Sequence, residues 1–158
     1  LTTNEIVRWT NSESGGLKSD NFVIPEIIEY PTFDEVDGKK RNIPAFYYKP
    51  KKSSGKFPVV ISIHGGPEGQ EMPRYSSSYQ YMINELGIAI LTPNVRGSTG
   101  YGKTYVTLDN GYLRENSVKD IGALLDWIKT RDELDSSNRS LWWFLWWLHG
   151  FSYYVSLQ

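Results

Sequence analysis

The spacing of apolar and polar positions changes character twice along the chain. Residues 5–10 (Glu-Ile-Val-Arg-Trp-Thr) read as a short strand, which Gly15-Gly16 breaks. Residues 26–33 and 43–48 (Ile-Pro-Ala-Phe-Tyr-Tyr) also read as strands, separated by the polar turn Asp37-Gly38-Lys39-Lys40. The Lys-, Ser- and Gly-rich stretch from Lys49 to Lys56 is a surface loop. Then the pattern loses its polar positions. Phe57 to Ile63 (Phe-Pro-Val-Val-Ile-Ser-Ile) is a β-branched run of the kind that parallel sheets bury on both faces. A helix is expected over residues 75–86, ended by Gly87, and a second buried strand over Ile88 to Leu91, stopped by Pro93. Ser117 opens a further helix: Ser117 and Asp120 fit a capping box, and Val118, Ile121, Leu124, Leu125 and Ile128 recur at helical spacing. Strand, helix, strand, helix in that rhythm implies an α/β domain with a largely parallel sheet.

Composition narrows the chemistry mostly by exclusion. Among 158 residues, 17 basic and 18 acidic side chains nearly cancel, which gives no electrostatic reason to expect nucleic acid as a partner. The absence of cysteine rules out disulfides and thiolate chemistry, and with only His64 and His149 a histidine-rich metal site is not expected. No cofactor is implied. The chain starts at Leu1 rather than methionine and nothing resembles a signal peptide; the true N-terminus is expected to lie elsewhere, so the missing signal leaves the compartment open, a soluble, cytoplasmic setting being slightly favored.

Two loops carry candidate chemistry. His64-Gly65-Gly66-Pro67 follows a buried strand, where paired glycines let backbone N–H groups approach a substrate oxygen. On its own the tetrapeptide is equally well a tight turn. Asn94 to Gly102 (Asn-Val-Arg-Gly-Ser-Thr-Gly-Tyr-Gly) is rich in glycine, but it has neither the Gly-Lys-Ser/Thr ending of a phosphate loop nor the glycine spacing of a dinucleotide fingerprint.

Taken in order, Trp9-Thr10, Ile63-His64-Gly65-Gly66-Pro67, the Asn94–Gly102 loop, Asp120 and Leu125-Asp126-Trp127 resemble the prolyl oligopeptidase family of serine peptidases, in particular its acylaminoacyl-peptidase-like branch. The likeness runs from Glu5 to about Ser136. It implies a β-propeller followed by an α/β-hydrolase domain acting on oligopeptides. By that analogy residues 1–18 are the end of the propeller and its exit, and residues 19–137 the N-terminal part of the peptidase domain. Gly66 would supply one oxyanion N–H in a loop shaped by His64, Gly65 and Pro67. Arg96, Gly97 and Tyr101 would lie in a second loop near the site.

After Ser137 the family pattern stops. A nucleophile elbow of the form Gly-Gly-Ser-Tyr-Gly-Gly-Tyr-Met is due, because the serine sits on a sharp strand-to-helix turn. The chain instead reads Leu141-Trp142-Trp143-Phe144-Leu145-Trp146-Trp147-Leu148, which holds four of its six tryptophans. Tryptophan has the single codon TGG, so read one nucleotide later it becomes GGT, glycine, whenever a T follows. Trp142, Trp143, Trp146 and Trp147 then give both glycine pairs of the elbow, and Phe144 and Leu145 can give serine and tyrosine. Asn138 to Leu141 can give Ile-Ala-Val-Tyr, the strand due before the elbow. A frameshift near Ser137 follows, with residues 138–158 an out-of-frame tail. The rival readings are a membrane-interface segment, too short to span, and a core strand whose adjacent tryptophans would point to both faces.

The serine is thus out of frame, and the later aspartate and histidine of a Ser-Asp-His triad do not occur in the chain. His64 precedes the elbow, and His149 lies in the shifted segment. The expectation is an inactive piece of a serine peptidase, with no membrane or metal partner. An α/β-hydrolase esterase piece, or a non-catalytic module using the aromatic tail, are the alternatives. Without its elbow strand the sheet would expose an edge, so independent folding is in doubt.

Overall fold

The structure, a computed structural model, describes residues 6–10, 16, 18–51, 55–66 and 68–143. Its center is a five-stranded sheet in the order β1-β2-β4-β3-β5. Strands β1 (Glu26–Val36) and β2 (Lys39–Tyr48) form an antiparallel hairpin. Asp37 and Gly38 turn it with φ of 52° and 75°, the paired positive values that a two-residue hairpin favors. Strand β3 (Phe57–Ile63) spans the residues expected, and β4 (Ala89–Pro93) takes in Pro93 rather than stopping before it. β5 covers Leu134–Trp143.

One expectation about the sheet needs correction. It is mixed rather than mainly parallel: β1·β2 and β2·β4 are antiparallel, whereas β3·β4 and β3·β5 are parallel. A hairpin closed by two residues must be antiparallel, and its second strand hands that sense on to β4. β5 runs on past Ser137, and its residues Arg139 to Trp143 pair in register with Val59 to Ile63. Ladder hydrogen bonds come from the backbone, so a strand can form there whatever the side chains. The sheet therefore has a strand on the far side of β3, and the exposed edge moves outward to β5.

Helices cover both faces. Residues 77–84 form α1, shorter than the expected 75–86, with Ser76 accepting a hydrogen bond from Tyr79 N at its start. After a short helix α2 (Lys103–Thr107) and a 3-10 turn (Gly111–Arg114), α3 runs from Glu115 to Lys129. The strands alternate between the two layers as period-two geometry requires. Ala45, Tyr47, Val59, Ile61, Ala89 and Leu91 join Leu124, Trp127 and Ile128 of α3. Phe46, Tyr48 and Ile90 face the other way and join Tyr79 and Ile83 of α1.

The capping box is not formed. α3 begins two residues before Ser117, whose hydroxyl donates back to Arg114 O at 2.8 Å, and Asp120 turns inward. Residues 6–10, expected as a propeller strand, lie in no strand, and Ile6 and Trp9 are exposed. A single extended segment has no ladder without neighboring strands. Among the described residues no helix is long and apolar enough to cross a membrane. The aromatic run beyond Trp143 lies outside the described residues.

Leu124 is fully buried between α3 and the sheet. Leu124→Ala should lower the unfolding free energy by about 2–5 kcal/mol, whereas the exposed Tyr81→Ala should change it by less than about 0.5 kcal/mol, both measured by urea titration.

Candidate functional site

Because β3 runs parallel to both β4 and β5, the carboxyl ends of all three share one edge of the sheet. In open α/β sheets that edge is where ligands bind. The two loops singled out by sequence both leave from it. His64, Gly65 and Gly66 follow β3 directly, and Asn94 to Gly102 follow β4. Gly66 is exposed with φ of 69°, its carbonyl accepts from Gly69 N at 3.0 Å, and its N–H finds no acceptor among the described residues. Pro67 lies outside the described residues, as does His149.

The loops are joined at three levels. His64 Nε2 lies 3.0 Å from Ser98 Oγ, whose own proton goes to Val95 O at 2.6 Å. Thr99 N donates to Gly69 O at 2.9 Å. The Asn94 side-chain amide pairs with the Glu71 backbone in both directions, accepting from Glu71 N at 2.8 Å and donating to Glu71 O at 3.0 Å. Asn94 and Ser98 are fully buried. Tyr101 hangs its hydroxyl on Asn94, accepting from Nδ2 at 2.9 Å, and stacks at a tilt 5.2 Å from Tyr105. Tyr105 in turn donates to Asn94 O at 2.8 Å.

Arg96 points away from this edge, into the protein. Its Nε and Nη2 meet the two oxygens of Asp120 at 2.9 and 2.8 Å, and its backbone N reaches the same carboxylate at 3.1 Å. Nη2 also meets Asp34 Oδ1 at 2.8 Å, and the guanidinium lies over the Phe33 ring, 4.4 Å from its centroid. Thr32 donates to Asp120 at 2.7 Å. Burial works to lower the Arg96 pKa, but the carboxylates of Asp120 and Asp34 outweigh it and raise it. Burial likewise works to raise the Asp34 pKa, and hydrogen bonds from Arg96 and Arg41 overcome it, leaving the carboxyl below its ordinary value.

Gly97 is where a side chain is excluded outright. With φ of 94° it occupies the left-handed region, and a Cβ there would enter the carboxylate of Asp109. Burial pushes the Asp109 carboxyl above its usual range against the opposing charge of Arg114, which donates to it at 3.0 Å. The expected residues thus divide. His64, Gly65 and Gly66 line the strand-end edge, Tyr101 braces it through Asn94, and Arg96 and Gly97 hold structure behind it. Asn94 and Ser98 had been part of a motif without a role, and Asp34 was not singled out. None of these can hold a metal as a cluster: among the described residues no group of three or more candidate ligands exists.

A model of the prolyl oligopeptidase family matches residues 73–143. Acylamino-acid-releasing enzyme 2 of Oryza sativa subsp. japonica is 28% identical over 138 residues, covering 87% of this chain and 18% of that protein. The acylamino-acid-releasing enzyme of Arabidopsis thaliana is 31% identical over 127 residues, covering 76% of this chain and 16% of that protein. The chain therefore spans less than a fifth of the length of these relatives. Among solved structures, an acylaminoacyl peptidase in complex with Z-Gly-Gly-Phe-chloromethyl ketone superposes with a TM-score of 0.65 at 21% identity, covering 78% of this chain and 19% of that one. At that identity the likeness speaks for the fold.

Arg96→Met would leave the Asp120 carboxylate buried without its counter-charge, and should cost about 3–5 kcal/mol in urea unfolding. Loss of the exposed Lys129–Asp126 pair, by Lys129→Ala, should cost under about 1 kcal/mol. Asp34 should show itself through pH. A carboxyl with a lowered folded pKa contributes stability above its unfolded value of about 4 and loses it as the pH falls through the folded value. Asp34→Asn should therefore flatten the decline in unfolding free energy below about pH 4, and an unchanged acid limb would contradict the Arg96–Asp34 pairing.

Proposed function

The chain belongs to the prolyl oligopeptidase family of serine peptidases, and on that premise we propose that it is the N-terminal part of an α/β-hydrolase catalytic domain carrying the oxyanion half of a peptidase site but no nucleophile. One observation carries this: the His64-Gly65-Gly66 turn leaves the carboxyl end of β3 beside the end of β5, with Ile63 and Trp143 paired. In this fold the nucleophile follows a strand into a sharp turn, and one oxyanion donor comes from a neighboring strand-end loop. Read one nucleotide later, the codons of Trp142 and Trp143 yield glycine, and that of Phe144 can yield serine. The shifted-frame serine thus follows directly from a residue paired with the last residue before the oxyanion loop.

In the complete domain a serine would attack the peptide carbonyl, a histidine would take its proton, and an aspartate would orient that histidine. Negative charge would develop on the carbonyl oxygen, where the Gly66 N–H, together with that of the residue after the serine, would stabilize it. His64 has another task. Its ring is tied to Ser98, and in sequence it precedes the elbow, whereas the triad histidine of this fold follows it. The substrate class is a short peptide. It is supported by the family and by the related acylaminoacyl peptidase, whose structure holds a peptidyl chloromethyl ketone. Residues 1–18 are read as the exit from a propeller domain.

The purified chain should not turn over a peptide p-nitroanilide, and turnover abolished by a serine-directed fluorophosphonate would overturn the inactive assignment. Resequencing the gene from the codon of Leu134 past that of Gly150 tests the frame. The expected result is that reading one nucleotide later yields Gly-Gly-Ser-Tyr-Gly-Gly. If that frame does not encode the elbow, the tryptophan run is genuine sequence and the proposal fails.

A further inference from the structure

The oxyanion loop poses a physical problem that the proposed function leaves unsolved. A backbone N–H stabilizes developing charge well only if it is already aimed, since reorganizing a flexible glycine turn during the reaction forfeits the gain. His64 to Glu71 contains three glycines, and its described residues lie in no helix or strand, so its own sequence does not fix it. We propose that Asn94 and Ser98 are positioning residues that clamp this loop in its oxyanion-binding shape, and that the clamp is complete in this chain without the nucleophile segment. The proposal rests on the oxyanion role given to Gly66 above.

The two side chains act at opposite ends. Ser98 has one proton, and the 2.6 Å contact to Val95 O takes it. The 3.0 Å contact with His64 is therefore donated by Nε2–H, which wins over the longer 3.4 Å approach of Nδ1 to Gly65 O and orients the ring at the loop entrance. At the loop exit, the Asn94 amide satisfies the N–H and the C=O of Glu71 together, much as a neighboring strand would. Asn94 is itself immobilized through its backbone, with Pro44 O accepting from its N at 2.9 Å and Tyr105 donating to its O at 2.8 Å. Between these ends, Thr99 N holds Gly69 O, and Gly69 is packed so closely that a Cβ would stand 2.9 Å from His64 Nδ1. The bonds lie within the two loops or reach from them to β2 and α2. None requires a residue after Trp143.

Amide hydrogen exchange of the 158-residue chain, followed residue by residue by NMR, tests the clamp. In the native sequence the Glu71 and Thr99 amides should exchange at least about tenfold more slowly than in an unstructured peptide. Asn94→Ala should remove that protection at Glu71 while amides of β3 and β4 keep theirs. Ile128→Val, a core change far from both loops, should instead speed exchange evenly. If Asn94→Ala does not fold, Ser98→Ala decides, because it removes only one hydroxyl, with its contacts to His64 and Val95. It should convert His64 from the Nε2–H tautomer to a mixture, read from its ring nitrogen shifts, and deprotect Thr99. Unprotected loop amides in the native chain, an even rise in every variant, or an unchanged His64 tautomer in Ser98→Ala would each overturn the clamp. A failed oxyanion assignment would appear instead in the resequenced frame, with the exchange pattern intact.

Discussion

The carboxylate of Asp120 is the point on which the arrangement of elements depends. It sits fully buried on α3 and accepts from the Arg96 backbone, the Arg96 guanidinium and the Thr32 hydroxyl. An ion so placed is tolerable only when its counter-charge and hydrogen bonds are complete, because its desolvation is worth several kcal/mol. Completing them requires three separate parts of the chain to come together: α3, the loop after β4, and the edge strand β1. Arg96 extends the same constraint to Asp34, so the β1–β2 hairpin is fixed against α3. Hydrophobic contact alone would let α3 slide on the sheet. The ion pair sets its position.

That anchoring explains why the loop after β4 can serve as a rigid platform. With Arg96 drawn inward and Gly97 pressed on Asp109, the segment has little freedom left on its inner side. Its outer side, Asn94, Ser98 and Thr99, is then free to organize the neighboring loop. One loop is thus held from behind and holds another in front. Order passes from a buried ion pair to a strand-end turn whose described residues belong to no helix or strand.

Much of this was legible where the cause is local. The run Phe57 to Ile63 marked β3 to the residue, and Asp37-Gly38 marked the hairpin, because both signals lie in the residues that respond to them. Signals with remote partners misled. Ser117 and Asp120 have the spacing of a capping box, yet Asp120 is claimed by Arg96, 24 positions away, and Thr32, 88 positions away. An aspartate at that position has the same letters whether it caps a helix or anchors a core. The mixed sense of the sheet was missed for a related reason: the pattern of a buried strand does not record the direction of its neighbor. Within the site, the resemblance placed His64 to Gly66 and the second loop. The roles of Asn94 and Ser98 needed coordinates, because side-chain-to-backbone bonding between loops has no periodicity to read.

β5 shows where side-chain information and backbone information part. Asp135 makes a local turn with Ser137, whose N–H and hydroxyl both donate to it, and the pairing with β3 resumes beyond at Arg139. A frame change in this region would alter side chains while leaving the number of residues between α3 and the end of the strand unchanged. The connection would still reach across α3 to the free side of β3, where a ladder of N–H and C=O groups needs a partner. The backbone demand of the sheet can therefore be met by a strand whose side chains were never selected for it. What cannot be met in that way is the turn after it, where the elbow needs glycine beside a serine and the chain supplies tryptophan and phenylalanine. A fold of this kind would tolerate such a change up to the position where backbone conformation begins to depend on the identity of the residue, and that position is also where the proposed chemistry would begin.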